Sequence, residues 1–287
     1  MKNEKHNEHF KSVQTLINAS PVVDFEGRTP NEMHYYVHDP FHMDSPIQFR
    51  KGIDNVIFDQ VPFVKLAYEF YKYLSEQPIP IKLTTNGNLP VKVVKYLYGL
   101  GILKDQVIES GLYKLYKEED SLSIHNLAII SKLSGITRKV GGKLVLTTTG
   151  TKLMEKNDLQ GIFELLFKTF VSKFNWSYHD GYGDNPVAQL GVAFTIELLS
   201  KYGDIEREDR FYSEKYLKAF PGITDYMEPT RYGGGPGDFH RCYSIRTFDR
   251  FLALFGFVEI REEGSYPNRE KLVRKTDVLD QLFLFEE

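Results

Sequence analysis

The sequence contains little cysteine and tryptophan and has no long apolar run. It holds one Cys and one Trp in 287 residues. A single cysteine excludes an internal disulfide, which favours a reducing, cytoplasmic setting. No run approaches the ~18 apolar residues that would span a bilayer. The polar start of the chain has no signal-peptide pattern, so we expect a cytoplasmic protein without membrane contact.

An excess of one charge is also absent. The chain has 36 Lys and Arg against 39 Asp and Glu, a net charge of −3. This balance excludes a uniformly basic nucleic-acid coat and an acidic solvating tail. The distribution is uneven, however. Ile81–Glu155 carries 11 basic and 6 acidic side chains, whereas the rest of the chain carries 25 and 33.

Aromatic side chains are abundant, with 21 Phe and 18 Tyr. Many follow helical spacing. One apolar stripe predicts a helix over about 59–76, and 158–174 is apolar on nearly every face, which indicates a central buried helix. Further helices are predicted over Pro186–Tyr202 and Ser244–Phe255. The aromatics are therefore expected to build a core.

The predicted order of elements indicates the fold class. A helix at 59–76 is followed by helices at Pro90–Gly99 and 121–133, then by a hairpin that turns at Gly141–Gly142. A similar order recurs at about 210–285, and it is the order of a winged helix. We predict a mostly α fold with small β-hairpins (α+β), in which two winged-helix-like units surround a hydrophobic helical centre. The expected segments are an irregular N-terminal region with a short helix at 1–58, a first winged-helix-like unit at 59–157, a central helical pair at 158–208 and a second winged-helix-like unit at 209–287.

Several phrases carry a family resemblance. They are Leu-Thr-x-x-Gly-Asn-Leu-Pro at 83–90, Gly-Ile-Thr-Arg-Lys at 135–139, Phe-Asn-Trp-x-Tyr-x-Asp-Gly-Tyr at 174–182 and Arg-Cys-Tyr-x-x-Arg-Thr-Phe-Asp-Arg-Phe at 241–251. With these motifs the chain resembles a family of uncharacterised bacterial proteins, some of them associated with plasmids or mobile elements. The resemblance implies a winged-helix-like bacterial cytoplasmic protein and transfers no catalytic residue.

The basic stretch suggests a function. The predicted positive edge consists of Lys92 and Lys95 on the Pro90 helix and of Arg138, Lys139 and Lys143 on the hairpin, where phosphate contacts are expected. The helix at 122–133 is apolar at seven of twelve positions, which is typical of a buried helix rather than one that reads bases. We expect a non-enzymatic binding protein that contacts DNA through this unit. A protein–protein interaction or assembly module without nucleic acid stays open.

The second unit has a different charge pattern. Its helix is expected to present Arg246, Thr247 and Arg250 on an outer face, with ion pairs such as Asp249 with Arg246 or Arg250. Its hairpin carries Glu259, Glu262 and Glu263, which would repel phosphates.

A metal site is one alternative reading of the histidine spacing. His34, His38 and His42 are four residues apart, as on one helix face of a zinc site, but Pro40 would break that helix. A polar loop explains the same residues. We expect no bound metal and no cofactor.

An enzyme is the third functional alternative. His179 beside Asp180 could act as the general base and its partner in a hydrolase. Such a base also needs a nucleophile or a water held across a pocket, and the sequence identifies neither. Gly-x-Ser-x-Gly and Cys-x-x-Cys motifs are absent as well. Cys242 is predicted to be a small buried residue rather than a nucleophile.

Overall fold

A computed structural model describes residues 11–178, 180–228, 236–264 and 270–286. About 54% of the chain is helical and 11% is strand in small antiparallel sheets, which confirms the predicted mixed α+β class. The chain forms two compact units. The terminal unit consists of Met1–Arg50, Trp176–Arg250 and Val258–Glu287, and the basic unit of Lys51–Asn175 and Phe251–Phe257. Both units are discontinuous in sequence.

Helices form most of the regular structure. Residues 11–18 are helical, and the α-helices that follow are α1 Pro30–His38, α2 Pro62–Glu76, α3 Val91–Gly99, α4 Gln106–Glu109, α5 Leu122–Leu133, α6 Thr148–Glu155, α7 Leu159–Ser172, α8 Val192–Tyr202, α9 Asp209–Ala219, α10 Pro236–Ser244 and α11 Asp277–Leu282. A π-helix, Ile245–Leu252, follows α10 directly. None of the helices in the described residues is both long enough and apolar enough to cross a membrane.

The strands are short. They are β1 Ile47–Phe49, β2 Ile81–Lys82, β3 Thr137–Val140, β4 Lys143–Leu146, β5 Arg207–Glu208, β6 Val258–Glu263, β7 Glu270–Lys275 and β8 Phe283–Phe285. β1 pairs with β8 in the terminal unit, which also holds a sheet of order β5-β7-β6. The basic unit has a sheet of order β2-β4-β3. In each three-stranded sheet the second strand of the hairpin therefore lies in the middle: β4 lies between β2 and β3, and β7 lies between β5 and β6.

Turn and cap chemistry explains the hairpin of the basic unit and the start of the helix that follows it. Gly141 and Gly142 connect β3 to β4 with φ of 54° and 75°, and a two-residue turn with two positive φ values suits glycine. The hydroxyl of Thr147 then accepts a hydrogen bond from the Gly150 N–H at 3.1 Å and caps α6. The hairpin predicted to turn at Gly141–Gly142 is confirmed.

Phenylalanine fills the core of the basic unit. Phe163 and Phe167 on α7 pack against Phe255 and Phe257, with ring centroids 5.0–6.3 Å apart. The short segment Phe251–Phe257 thus completes this core. Gly256 permits the approach, because a Cβ there would lie 2.5 Å from the backbone oxygen of Gln60. The aromatics therefore build a core, as predicted.

The terminal unit buries polar groups as well as rings. Arg28 Nε donates to Glu197 Oε1 at 2.8 Å, and the Tyr36 hydroxyl donates to Glu197 Oε2 at 2.7 Å. All three side chains are buried, so the charges compensate one another inside the unit. Tyr216 and Tyr243, with ring centroids 4.9 Å apart, form part of the apolar core.

Three local predictions are wrong. The 1–58 region, predicted as irregular beyond one short helix, contains α1, because Thr29 and Glu32 form a reciprocal capping box ahead of Pro30. The helix predicted from Pro186 begins at Val192, after Gly191 with φ of 65°. The helix predicted over Ser244–Phe255 is a π-helix that ends at Leu252 and is followed by a turn.

Candidate functional site

The sheet of the basic unit presents cations on its solvent-exposed face. Register pairs Lys82 with Lys143, Val140 with Lys143 and Arg138 with Val145. Paired residues share a face of a sheet, and alternate residues along a strand share it too. Lys82, Arg138 and Lys143 are therefore on one face, and all three are exposed.

The opposite face of this sheet belongs to the core, with one exception. Ile81, Thr137 and Leu144 are buried there. Lys139 shares their face but is exposed, and its Nζ lies beside the turn that precedes α3, 3.7 Å from where a Cβ on Gly87 would stand. The hairpin thus carries positive charge on both of its faces.

The Leu-Thr-x-x-Gly-Asn-Leu-Pro motif forms the connection between β2 and α3. The Leu83 N–H donates to the Gly142 oxygen at 2.9 Å, which ties the motif to the hairpin. The Asn88 amide donates to Glu119 Oε1 at 2.6 Å. The Leu89 N–H donates to the carboxylate of Glu118. The motif therefore has a structural role, because just before α3 begins it connects β2, the hairpin turn and the Glu118–Glu119 segment.

Lys92 and Lys95 lie on α3, and both are exposed. Val93, Val94 and Leu97 of the same helix are buried, so the two lysines occupy the solvent side. Among the residues that the structure describes, none makes an ion pair with Lys92, Lys95, Arg138, Lys139 or Lys143. Each predicted cation is accordingly available to an external anion.

Helix α5 is buried, as the sequence predicts. Its polar side chains His125, Asn126 and Ser131 are buried along with its apolar ones. His125 Nδ1 lies 2.7 Å from Glu118 Oε1, in a pair that is almost fully enclosed. Lys132 is the exposed cation of this helix. Side chains that could read bases are therefore scarce on its surface.

The three histidines considered for metal binding lie near one another without forming a ligand set. His34 and His38 are neighbours on α1, with ring centroids 4.5 Å apart. His42 comes after the end of this helix and stacks on Tyr35, with centroids 5.0 Å apart. Within the described ranges, no group of three or more His, Cys, Asp or Glu side chains could hold a metal ion.

The carboxylate of Asp180 forms an ion pair with Arg246 and accepts a hydrogen bond from the Tyr182 N–H within a turn. His179 lies outside the described residues, and Asp180 is paired with Arg246, both side chains being fully buried. Arg246 also donates to the Asn185 oxygen at 2.7 Å and to the Val187 oxygen at 3.2 Å. The arrangement uses Asp180 to neutralise a buried guanidinium.

The expectations for the second predicted unit need correction. Arg246 and Thr247 were expected on an outer face, but they are 1% and 0% exposed. Asp249 pairs with Lys271 at 2.5 Å rather than with an arginine. Burial raises the pKa of the Asp249 carboxyl even though Lys271 lowers it. The part of the helix that carries Arg246 and Thr247 packs inward whereas Asp249 is exposed and Arg250 half-buried, and periodicity alone does not reveal which polar side chains are enclosed.

Cys242 is a buried thiol, as predicted. It is 0% exposed, and burial raises the pKa of its thiol to about 12. A thiol with such a pKa is almost entirely protonated at neutral pH, so it is a poor nucleophile.

Two residues of the basic unit were not identified from the sequence. Lys82 alternates with Ile81 and Leu83, and this period of two indicates an outward position, but its pairing with Lys143 depends on register. Glu118 is 1% exposed and contacts both the Leu89 N–H of the motif and His125 of α5.

No protein-family profile, curated protein or solved structure matches this chain.

Proposed function

We propose that this chain is a non-enzymatic binding protein that contacts DNA through its basic unit. The observation that carries the proposal is the set of exposed cations on α3 and on the β3–β4 hairpin, none of which has an ion-pair partner among the described residues. Lys and Arg side chains without ion-pair partners, grouped on two paired strands and on one side of a helix, favour the binding of phosphates.

The order of elements supports the same proposal. In the basic unit, α2, β2, α3 and α5 precede the β3–β4 hairpin, and the sheet order is β2-β4-β3. This order is consistent with a winged helix, in which a hairpin beside the last helix often contacts DNA. The terminal unit repeats the order with α8, β5, α9, α10 and the β6–β7 hairpin. The motif resemblance and the single cysteine support a bacterial, cytoplasmic setting for this activity.

Binding of the full chain to duplex DNA at two salt concentrations tests the proposal. If all five predicted cations contact phosphates, affinity should fall by up to about 500-fold between about 50 and 200 mM salt. A variant with all five changed to Gln should lose most of this binding while its circular dichroism is unchanged. Lys156→Gln is the control, since Lys156 is exposed at the end of α6, outside the predicted edge. Undetectable binding of the unaltered chain at low salt would refute the proposal.

A protein-interaction module is the second candidate function. Helical residues 11–18 expose Val13, Leu16 and Ile17 at 41%, 69% and 60%. These residues are spaced i, i+3 and i+4, so they form an apolar stripe on one face. Light scattering after size exclusion tests self-association. A mass above that of one chain that reverts in Leu16→Asp would support this candidate, and a single-chain mass would count against it.

A further inference from the structure

A lysine outside the predicted edge belongs to the positive face of the sheet. Lys82 is exposed on β2, and its direct partner in register is Lys143 on β4. Directly opposed residues of an antiparallel pair have Cβ atoms about 5 Å apart, and two like charges at that spacing destabilise the pair. No described acidic side chain forms an ion pair with either lysine.

Arg138 extends the same face on the other side of β4. It pairs with Val145, two residues after Lys143, so its side chain is diagonal to that of Lys143. Three cations thus stand on three adjacent strands without internal compensation. Strands in a sheet lie about 4.8 Å apart, so the three cations form a compact anion-attracting surface across the sheet.

Helix α5 has the position of the base-reading helix of a winged helix, but its polar side chains His125, Asn126 and Ser131 are buried. The N-terminal residues of such a helix normally contact base edges. In α5 these positions include His125 and Asn126, which are 6% and 4% exposed. Glu119 and Asp120 of the 3₁₀ helix immediately before α5 are exposed and half-buried, respectively, and their charges would repel the phosphates that flank a groove.

From these observations we infer that the face formed by Lys82, Arg138 and Lys143 binds the phosphate backbone of duplex DNA without reading base sequence. The inference rests on the proposed function and deepens it. It adds Lys82 to the contact surface and assigns a sequence-independent mode of binding. The phosphate backbone is common to all duplexes, and Lys and Arg contacts to it carry no direct sequence information.

The test compares the full-length chain with Lys82→Gln and Lys156→Gln on two duplexes of equal length and unrelated sequence. The unaltered chain should bind both duplexes with dissociation constants within about threefold. Lys82→Gln should weaken both by the same factor, about eightfold at 0.1 M salt, and should reduce the slope of log K against log salt by about 0.9. Lys156→Gln should behave like the unaltered chain.

Stability separates loss of contact from loss of fold. Lys82→Gln removes a like-charge pair, so its thermal midpoint should equal or exceed that of the unaltered chain. A tenfold preference for one duplex, tighter binding of a single strand than of a duplex, or unchanged affinity in Lys82→Gln would each overturn the inference while leaving the proposed function in place. Absence of duplex binding by the unaltered chain would overturn both.

Discussion

With Met in place of Arg246, the terminal unit should unfold at a much lower denaturant concentration than in the unaltered chain. The guanidinium is buried and donates to the Asp180 carboxylate, to the backbone oxygens of Gly183, Asn185 and Val187, and to the Asn185 side chain. Methionine fills a similar volume with no donor. The substitution therefore leaves a buried carboxylate without its counter-ion and several oxygens without their hydrogen bonds.

The expected loss is large because the pair is fully enclosed. Removing one partner of a buried ion pair costs about 3–5 kcal/mol, since the remaining charge is left uncompensated. A value of ~4 kcal/mol with a urea m-value of ~2 kcal/mol/M shifts the unfolding midpoint by about 2 M. By contrast, Arg210→Met removes an ion pair with Glu214 in which both side chains are more than half exposed. An exposed pair of this kind contributes less than about 1 kcal/mol.

The fluorescence of the single tryptophan can follow this unfolding. Trp176 is the single tryptophan of the chain, is 4% exposed and belongs to the terminal unit. The backbone N–H of Trp176 donates to Gln189 Oε1 at 3.2 Å, and Gln189 is close in sequence to the turn that Arg246 binds. Urea titration followed by tryptophan fluorescence should show the shifted midpoint in Arg246→Met and a small change in Arg210→Met. Equal midpoints in the two variants would refute the reasoning.

Three further substitutions or treatments have defined outcomes. Burial alone would raise the pKa of Glu26, but hydrogen bonds from Lys215 and Tyr202 and the charges of Lys215 and Lys201 together lower it from 4.5. The resulting stabilisation is present above the unfolded pKa and is lost as pH falls through the lower folded pKa. Glu26→Gln should therefore unfold at a lower urea concentration than the unaltered chain at pH 7, and the difference should shrink as the pH is lowered below 4.5. Cys242 should resist a thiol reagent at neutral pH and react only after urea is added, as a mass measurement would show. Gly256→Ala should lower the thermal midpoint for two reasons: a φ of 72° is unfavourable for alanine, and the added Cβ would lie 2.5 Å from the Gln60 oxygen. An unchanged midpoint would contradict that close approach.

Local signals made much of the basic unit predictable. The apolar stripe of α2, the glycine pair of the hairpin and the threonine cap of α6 act over a few residues, so the sequence displays them directly. The exposed positions of Lys92 and Lys143 follow from the same periodicities. The capping box at Thr29–Glu32 was equally visible, and a search for this pattern would have predicted α1.

Long-range partners were not predictable from one sequence. The side chain of Arg246 looks like an exposed cation by helical periodicity, and only the tertiary position of Asp180 reveals why it is buried. The same holds for Glu118, whose enclosure depends on Leu89 and His125. Neither the pairing of Lys82 with Lys143 nor that of β1 with β8 has a local signal, because register depends on the assembled sheet.

The discontinuity of both units has a consequence for biosynthesis. The basic unit needs Phe251–Phe257 to fill its core, and β1 finds its partner only when Phe283–Phe285 has been made. Because a chain emerges from the ribosome in one direction, neither unit can be completed while the other is still entirely unsynthesised. Translation that stops after residue 250 would release a chain in which both cores are unfinished, and such a chain would be a substrate for chaperones and proteases rather than a half-functional protein.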